Sequence, residues 1–284
     1  MRILVTGLAG FTGYYIKQVL EARADTVIGL KSDLTNISLL ADEIKLVNPD
    51  AVIHLAGISF IAHNTAVDFY TVNLLGTYNL LHCLSIYAPN IKSILLASSA
   101  NIYGNSTEGV LTEITPPNPA NDYAISKWAM EKMALLWLNR LPLFIVRPFN
   151  YTGIRQNEQF LLPKIVAHFV RKQKTIELGN LDITREFNDV RTIAEIYADL
   201  LNRAPIGETI NICTGEGHSI REIISLCEEI VGYSIQVKTS QNLIRSSEIQ
   251  SLIGDPTKLK SFIGNISPKT ITDTLQWMLN HPQT

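Results

Sequence analysis

Tyr123 and Lys127 stand four residues apart in Asp122-Tyr123-Ala124-Ile125-Ser126-Lys127, so on a helix both side chains share one face. An ammonium beside a phenol lowers its pKa from about 10 towards the working range, giving a group that can donate a proton to a substrate oxygen or accept one. Upstream, an apolar run ends in Ser98-Ser99-Ala100-Asn101-Ile102-Tyr103-Gly104. A hydroxyl at the carboxyl end of a parallel strand faces the ligand crevice, which places Ser99 to bond the same oxygen. Near the start of the chain lies Thr6-Gly7-Leu8-Ala9-Gly10-Phe11-Thr12-Gly13. Three glycines so spaced allow a tight turn, close approach of the backbone to a pyrophosphate, and tight helix-to-strand packing, with the phosphate on the helix N-terminus. About 20 positions on, where dinucleotide folds usually offer an acid to the adenosine ribose, stands Lys31. A cation there favours a 2′-phosphate, hence NADP(H) with NAD(H) still possible; Ser32 can assist and Asp33-Leu34 can reach the adenine. Each motif alone has a bland reading, a chance spacing or a surface lysine. Their order along one chain gives them weight.

To converge, these groups need a sheet whose strands all end on one edge. Short β-branched or leucine-rich runs at residues 3–6, 26–30, 51–55, 93–97, 143–147 and 209–212 alternate with helix-length stretches, among them 14–22 and 37–47. Near-continuous apolar strands between amphipathic helices indicate an α/β fold, a Rossmann-type doubly wound parallel sheet buried on both faces. Ser32-Asp33-Leu34-Thr35-Asn36 leads almost directly into the second helix, so the expected third strand is missing or vestigial and one sheet edge is short. Beyond about residue 150 the pattern loosens. Ser219-Ile220-Arg221-Glu222 has capping-box spacing and predicts a helix over 220–231. Asp255-Pro256 starts another near Thr257, and Ile271, Leu275 and Met278 mark a last one. The expected division is a dinucleotide-binding domain over 1–150, with 181–215 returning to it. A smaller C-terminal α/β substrate-binding domain takes 151–180 and 216–284 and closes over the carboxyl edge.

The 284 residues, 46% hydrophobic and 18% charged, exclude a disordered or collagen-like chain. A net charge of −2 offers no field for a polyanion, so nucleic acid is not an expected partner. No apolar run reaches the roughly 18 residues of a membrane span, and no membrane partner is expected. Cys83, Cys213 and Cys227 are odd in number and lie in apolar contexts, which fits reduced thiols and a cytoplasmic location. His54, His63, His82, His168, His218 and His281 show no metal-ligand spacing, and no metal is expected. Trp128, Met133, Leu136 and Trp137 follow Lys127 on its helix and fit either core or a helix-bundle interface between two copies.

The glycine triplet, His54-Leu55-Ala56-Gly57, Asn73 before Gly76-Thr77, Ser99 and the Tyr123/Lys127 pair, in this order, resemble the extended short-chain dehydrogenase/reductases over essentially the whole chain. Arg147-Pro148-Phe149-Asn150, the stretch from Asp182 through Arg185 to Val190, and Arg245-Ser246-Ser247-Glu248 before Gly254-Asp255-Pro256 narrow this to the nucleotide-sugar branch. Within it the chain resembles the GDP-mannose 4,6-dehydratase and GDP-4-keto-6-deoxy-mannose reductase relatives. The resemblance implies Ser99, Tyr123 and Lys127 as catalytic residues. It implies a cofactor site of Gly7, Gly10, Phe11, Thr12, Gly13, Lys31, Ser32, Asp33, Leu34, Leu55, Ala56, Gly57 and Asn73 together with Tyr123 and Lys127. Asn150 and Arg185 would lie near a substrate diphosphate, and Arg245 and Glu248 near its base. A homodimer is also implied. The activity implied is NAD(P)H-dependent reduction of the C4 ketone of a nucleotide-linked 4-keto-6-deoxyhexose, giving GDP-rhamnose or GDP-6-deoxytalose for deoxysugar and surface polysaccharide synthesis. The alternative is a nucleotide-sugar 4-epimerase with tightly bound NAD.

One departure from the pattern separates the chain from the dehydratases it resembles. Those carry an acid two positions before the tyrosine of the Tyr-Gly pair, often beside a second acid, because eliminating water across C5 and C6 needs an extra proton donor and acceptor. Here the positions hold Ala100 and Asn101, neither of which exchanges a proton near neutral pH. Purified protein given GDP-mannose is expected to form no 4-keto product, and chromatographic detection of that product would refute the reading.

Overall fold

The computed structural model describes residues 1–59, 65–105, 109–241 and 249–281. The chain opens with β1 (Arg2–Thr6), α1 (Phe11–Ala22), β2 (Thr26–Gly29), α2 (Ile37–Val47) and β3 (Ala51–His54). After α3 (Ala66–Phe69) the helix widens to a π-helical stretch, Tyr70–Gly76, before α4 (Thr77–Tyr87). Then come β4 (Ser93–Ala97), α5 (Asp122–Leu135) and β5 (Leu143–Pro148). The remainder runs β6 (Tyr151–Thr152), α6 (Leu161–Val170), β7 (Thr175–Leu178), β8 (Thr184–Arg185), β9 (Asn188–Asp189), α7 (Val190–Arg203) and β10 (Thr209–Ile212). It closes with β11 (His218–Ser219), α8 (Ile220–Val231), β12 (Gln236–Thr239), β13 (Ser251–Leu252), α9 (Thr257–Ile263) and α10 (Ile271–Asn280).

Six parallel strands form the main sheet in the order β10-β5-β4-β3-β1-β2. The chain steps from β1 to β2 on one side and then crosses to β3 on the other, which opens a crevice at the carboxyl ends of β1 and β3. As the sequence predicts, β2 is the edge strand of this sheet among the described residues. Apolar cores fill both faces: α1, α7 and α9 pack over one, with Val5, Ile16, Val146 and Tyr197 buried there, and α2, α4 and α5 over the other, with Leu4, Ile44, Leu84 and Ile145. A third core of α6, α8, α10 and β7 builds the second lobe. Among the described residues no helix is long and apolar enough to cross a membrane.

One expectation is corrected: α1 begins at Phe11, not Tyr14, because the turn feeds the helix directly from Gly10. In the second lobe β7 and β12 pair in parallel, strands whose sequences, Thr-Ile-Glu-Leu and Gln-Val-Lys-Thr, are too short and too polar to stand out. The capping box of α8 is present, Ser219 accepting from Glu222 N while the Glu222 carboxylate accepts from Ser219 N.

The lobes are joined beneath the site by a buried carboxylate. Glu186 accepts from Gly254 N at 2.6 Å, from Thr214 N at 2.8 Å and from Asn188 Nδ2 at 3.2 Å, so one side chain fixes the ends of β9, β10 and β13. Glu186→Ala leaves two buried N–H groups without partners and is expected to cost about 3 kcal/mol, read as a lower melting temperature. An unchanged melting temperature would mean that these loops are held by other contacts.

Candidate active site

The first wall of the crevice is the glycine turn. Gly7 has φ +72°, and a Cβ there would lie 3.0 Å from Ala56 N, while one on Gly13 would lie 2.5 Å from Leu8 O. The turn is therefore drawn in to the β3 exit and α1 is drawn in to the turn, as the spacing predicts. Gly10 caps α1 without a side-chain bond, and the first turn of the helix carries no acid. Its leading N–H groups and positive dipole end suit a pyrophosphate. Tyr151, which the sequence reading missed, bonds Thr12 Oγ1 through its hydroxyl at 2.8 Å and stacks its ring on Phe11 with centroids 6.0 Å apart.

The second wall is the β3 exit, Leu55-Ala56-Gly57, and a chain of buried hydrogen bonds fixes it. Leu55 N and Ala56 N both donate to Thr6 Oγ1, at 3.1 and 3.0 Å, which leaves the Thr6 proton for His54 Nδ1 at 2.7 Å. Thr77 Oγ1 donates to Asn73 O at 2.7 Å and so accepts from His54 Nε2 at 2.8 Å. Every proton in the chain is thereby assigned, and His54 is neutral with hydrogen on Nε2. Burial, with the nearby Lys127 charge, pushes its pKa down to about 3. Asn73 sits in the π-helical stretch, a feature frequent at functional sites. It accepts from Ile58 N at 2.8 Å and donates to Ile58 O and to Ser126 Oγ, tying the β3 exit to the helix of Lys127. A Cβ on Gly57 would meet Asn73 Oδ1 at 2.9 Å and Lys127 Nζ at 3.1 Å, so the backbone lies hard against both.

The third wall carries Ser99, Tyr123 and Lys127. Ser99 Oγ accepts from Asn101 N and Asn101 Nδ2, each at 3.2 Å, and hydrogen-bonds the Tyr123 hydroxyl. Lys127 is 6% exposed and its Nζ donates to Ala97 O at 2.8 Å. The structure corrects the expected electrostatics. Burial pushes Tyr123 up to about 12, opposed by the Ser99 bond rather than by the lysine, whose ammonium is engaged with the β4 backbone. Burial also lowers Lys127 to about 8, against the opposing pull of Glu131. Glu131, one turn beyond Lys127, is held by Arg147 in a buried two-bond ion pair, Nε to Oε1 at 3.0 Å and Nη2 to Oε2 at 2.7 Å. Arg147 Nη1 also donates to the Tyr103 hydroxyl at 2.9 Å. The sequence reading quoted Arg147 without a role and overlooked Glu131.

At the adenosine end Lys31 is exposed, and Lys31 N and Ser32 N donate to the Glu43 carboxylate at 2.9 and 2.7 Å. Asp33 accepts from Thr35 N and Thr35 Oγ1, and Leu34 is buried, so close to the π-helical stretch that a Cβ on Gly76 would reach it at 2.9 Å. Glu43 was invisible in the motifs because it sits on α2 and meets the loop only through folding. Of the residues the resemblance assigns to substrate, Asn150 follows β5, its carbonyl accepting from Asn188 N at 2.8 Å. Arg185 is buried and donates to Thr184 O and Ile249 O. The two neighbouring acids pair with other arginines, Asp182 with Arg221 and Asp189 with Arg191. Arg245 and Glu248 lie outside the described residues. The three glycine cradles, the open helix terminus and the buried lysine fit NADP(H) or NAD(H).

The family model described as GDP-mannose 4,6 dehydratase matches residues 30–278. GDP-6-deoxy-D-talose 4-dehydrogenase of Aggregatibacter actinomycetemcomitans is 40% identical over 272 residues, covering 93% of this chain and 92% of the relative. GDP-6-deoxy-D-mannose reductase of Pseudomonas aeruginosa is 31% identical, covering 98% and 96%. Among solved structures, a putative epimerase from Burkholderia cenocepacia superposes with a TM-score of 0.93 at 42% identity, covering 98% of this chain and 97% of the other. RMD from Pseudomonas aeruginosa, complexed with NADPH, gives 0.87 at 30%, covering 98% and 96%. With its Rossmann-type sheet and its serine, tyrosine and lysine gathered at one crevice, the chain belongs to the GDP-mannose 4,6-dehydratase family of short-chain dehydrogenase/reductases.

Proposed function

We propose that the protein is an NADPH-dependent reductase of the C4 ketone of a GDP-linked 4-keto-6-deoxyhexose. The observation that carries this reading is the meeting of Ser99, Tyr123 and Lys127 at the carboxyl edge beside a glycine turn fit for a pyrophosphate. Two relatives, one named a GDP-6-deoxy-D-talose 4-dehydrogenase and the other a GDP-6-deoxy-D-mannose reductase, support the substrate class, and the NADPH-bound relative supports the cofactor. The higher identity to the talose enzyme favours GDP-6-deoxytalose over GDP-rhamnose as product.

When bound, the nicotinamide supplies the hydride. The protein supplies the rest. Asn101 takes both lone pairs of Ser99, so the Ser99 proton is aimed away from the strand, towards Tyr123 and the place of the substrate oxygen. Tyr123, held protonated by burial, has a proton to give as the ketone oxygen gains charge. Lys127 carries its charge against the Gly57 backbone, where it can hold the cofactor ribose, while the Ser99 bond, which lowers the Tyr123 pKa, stabilises the phenolate left on Tyr123. Asn150, Arg185, Arg245 and Glu248 are proposed to hold the diphosphate and base, Arg185 through the fork geometry that suits phosphate. The bilobed division at residues 151–180 and 216–284 is proposed to close on the sugar. Leu75, Tyr78 and Ile86 of the α4 region, with Ile125 and Leu136 of the α5 region, are exposed apolar residues that support a homodimer.

Tyr123→Phe is expected to lower kcat by about a hundredfold or more while leaving NADPH affinity near that of the parent. Parent-like turnover would remove Tyr123 from its role. A 4-epimerase would regenerate its cofactor, so stoichiometric loss of the reduced nicotinamide absorbance with keto sugar separates the two activities. Because Lys127 titrates at about 8, its ammonium is present below that pH and lost above it. kcat/KM, which reports the free enzyme, should therefore fall as pH rises through about 8, and the limb should vanish in Lys127→Arg, which does not titrate there. A limb unmoved in that variant belongs to another group.

A further inference from the structure

The backbone donors just beyond β2 are engaged by a side chain from another element. Glu43 Oε1 accepts from Lys31 N at 2.9 Å and its Oε2 from Ser32 N at 2.7 Å, so one carboxylate, carried by α2, straddles two successive N–H groups. The Ser32 hydroxyl also turns to α2, donating to Leu39 O at 3.2 Å. Asp33, the other acid of this loop, is folded onto Thr35, whose N and Oγ1 both donate to its Oδ1 at 2.8 Å.

This segment borders the cofactor crevice. A Cβ on Gly29 would lie 2.9 Å from Leu8 Cδ2, so the β2 exit packs on the glycine turn that suits the pyrophosphate, and in dinucleotide folds the residues just beyond that exit receive the adenosine ribose. The sequence puts Lys31 in the slot where an acid usually holds the ribose 2′-hydroxyl. Folding returns an acid to that slot from α2. Partial burial works against a charge on Glu43, but the bonds from Ser32 and Lys31, with the Lys31 charge, hold its carboxyl below the usual carboxylate range, so it is an anion at neutral pH. A 2′-phosphate arriving here meets a carboxylate on the very N–H groups that suit it, and like charges a few ångströms apart repel. A ribose with both hydroxyls free carries no charge there and meets no such penalty.

We propose that Glu43 sets the preference between NADPH and NADH: its carboxylate occupies the two backbone donors beyond β2 and repels the 2′-phosphate that Lys31 attracts. This rests on the dinucleotide-dependent reading above. Lys31 and Glu43 oppose each other at one phosphate, and their balance, rather than the lysine alone, decides how far NADPH is favoured.

The test is Glu43→Gln, which keeps the length of the side chain and removes its charge, titrated with 2′,5′-ADP and with 5′-AMP, which differ by the 2′-phosphate alone, and with NADPH and NADH. Because glutamine offers one acceptor to two N–H groups, Glu43→Ala, with neither acceptor nor charge, is measured beside it. In both variants the affinity for the 2′-phosphorylated ligand of each pair, taken relative to its partner, is expected to rise about fivefold to tenfold, or about 1–1.4 kcal/mol. An unchanged ratio overturns the proposal. So does a ratio that falls, which would make Glu43 a support of the phosphate site, and so do equal losses for all four ligands, which mark a residue that only holds the loop. A parent protein that binds neither NADPH nor NADH overturns the dinucleotide reading itself, and this proposal falls with it.

Discussion

The crevice depends on one buried imidazole that must stay neutral. His54 receives the Thr6 proton on Nδ1 and gives its own from Nε2 to Thr77, which passes the polarity on to the Asn73 carbonyl. Four elements meet in that chain: the end of β1, the end of β3, the π-helical stretch and the start of α4. A second proton on the ring would leave Thr6 and His54 facing each other as donors and would place a second cation beside Lys127. Burial prevents this at any ordinary pH. The gain is positional, for the Gly57 backbone is held where it touches both Asn73 and Lys127.

Burial also decides how the catalytic group behaves. The pattern of a tyrosine and a lysine one turn apart invites the idea of an acidic phenol, yet the folded protein turns the ammonium to the Ala97 carbonyl and leaves the phenol with a raised pKa. For a reduction this is the useful sense, since a tyrosine that must supply a proton has to hold it beforehand. The lysine keeps its charge in a dry place partly because Glu131 stands one turn on, and Glu131 is in turn fastened to β5 by Arg147. Removing either partner of such a pair would leave a buried charge alone.

The family takes its description from a dehydratase, but its fold does not fix the chemistry of each member. Where elimination would need an acid, this chain has Asn101, whose amide and backbone N–H both serve Ser99. The position that would move protons in a dehydratase orients a hydroxyl here.

The sequence by itself determined the main sheet and its crevice. All six strands were legible as apolar runs, nearly continuous in the inner strands because both faces are buried there and set by β-branched residues at the part-exposed edge strand β2, and the glycine turn, Ser99, Tyr123 and Lys127 were legible because their spacing is local, set by one turn or one helix. The capping box of α8 was local too. What depended on distant segments was not legible. Glu43 meets Lys31 and Ser32 across a loop, Tyr151 reaches Thr12 from the far side of the crevice, and β7 finds β12 only after α8 has intervened. Tertiary structure alone decided these, and it decided the protonation of His54, Tyr123 and Lys127, because desolvation is a property of the packed interior and leaves no mark on residue order.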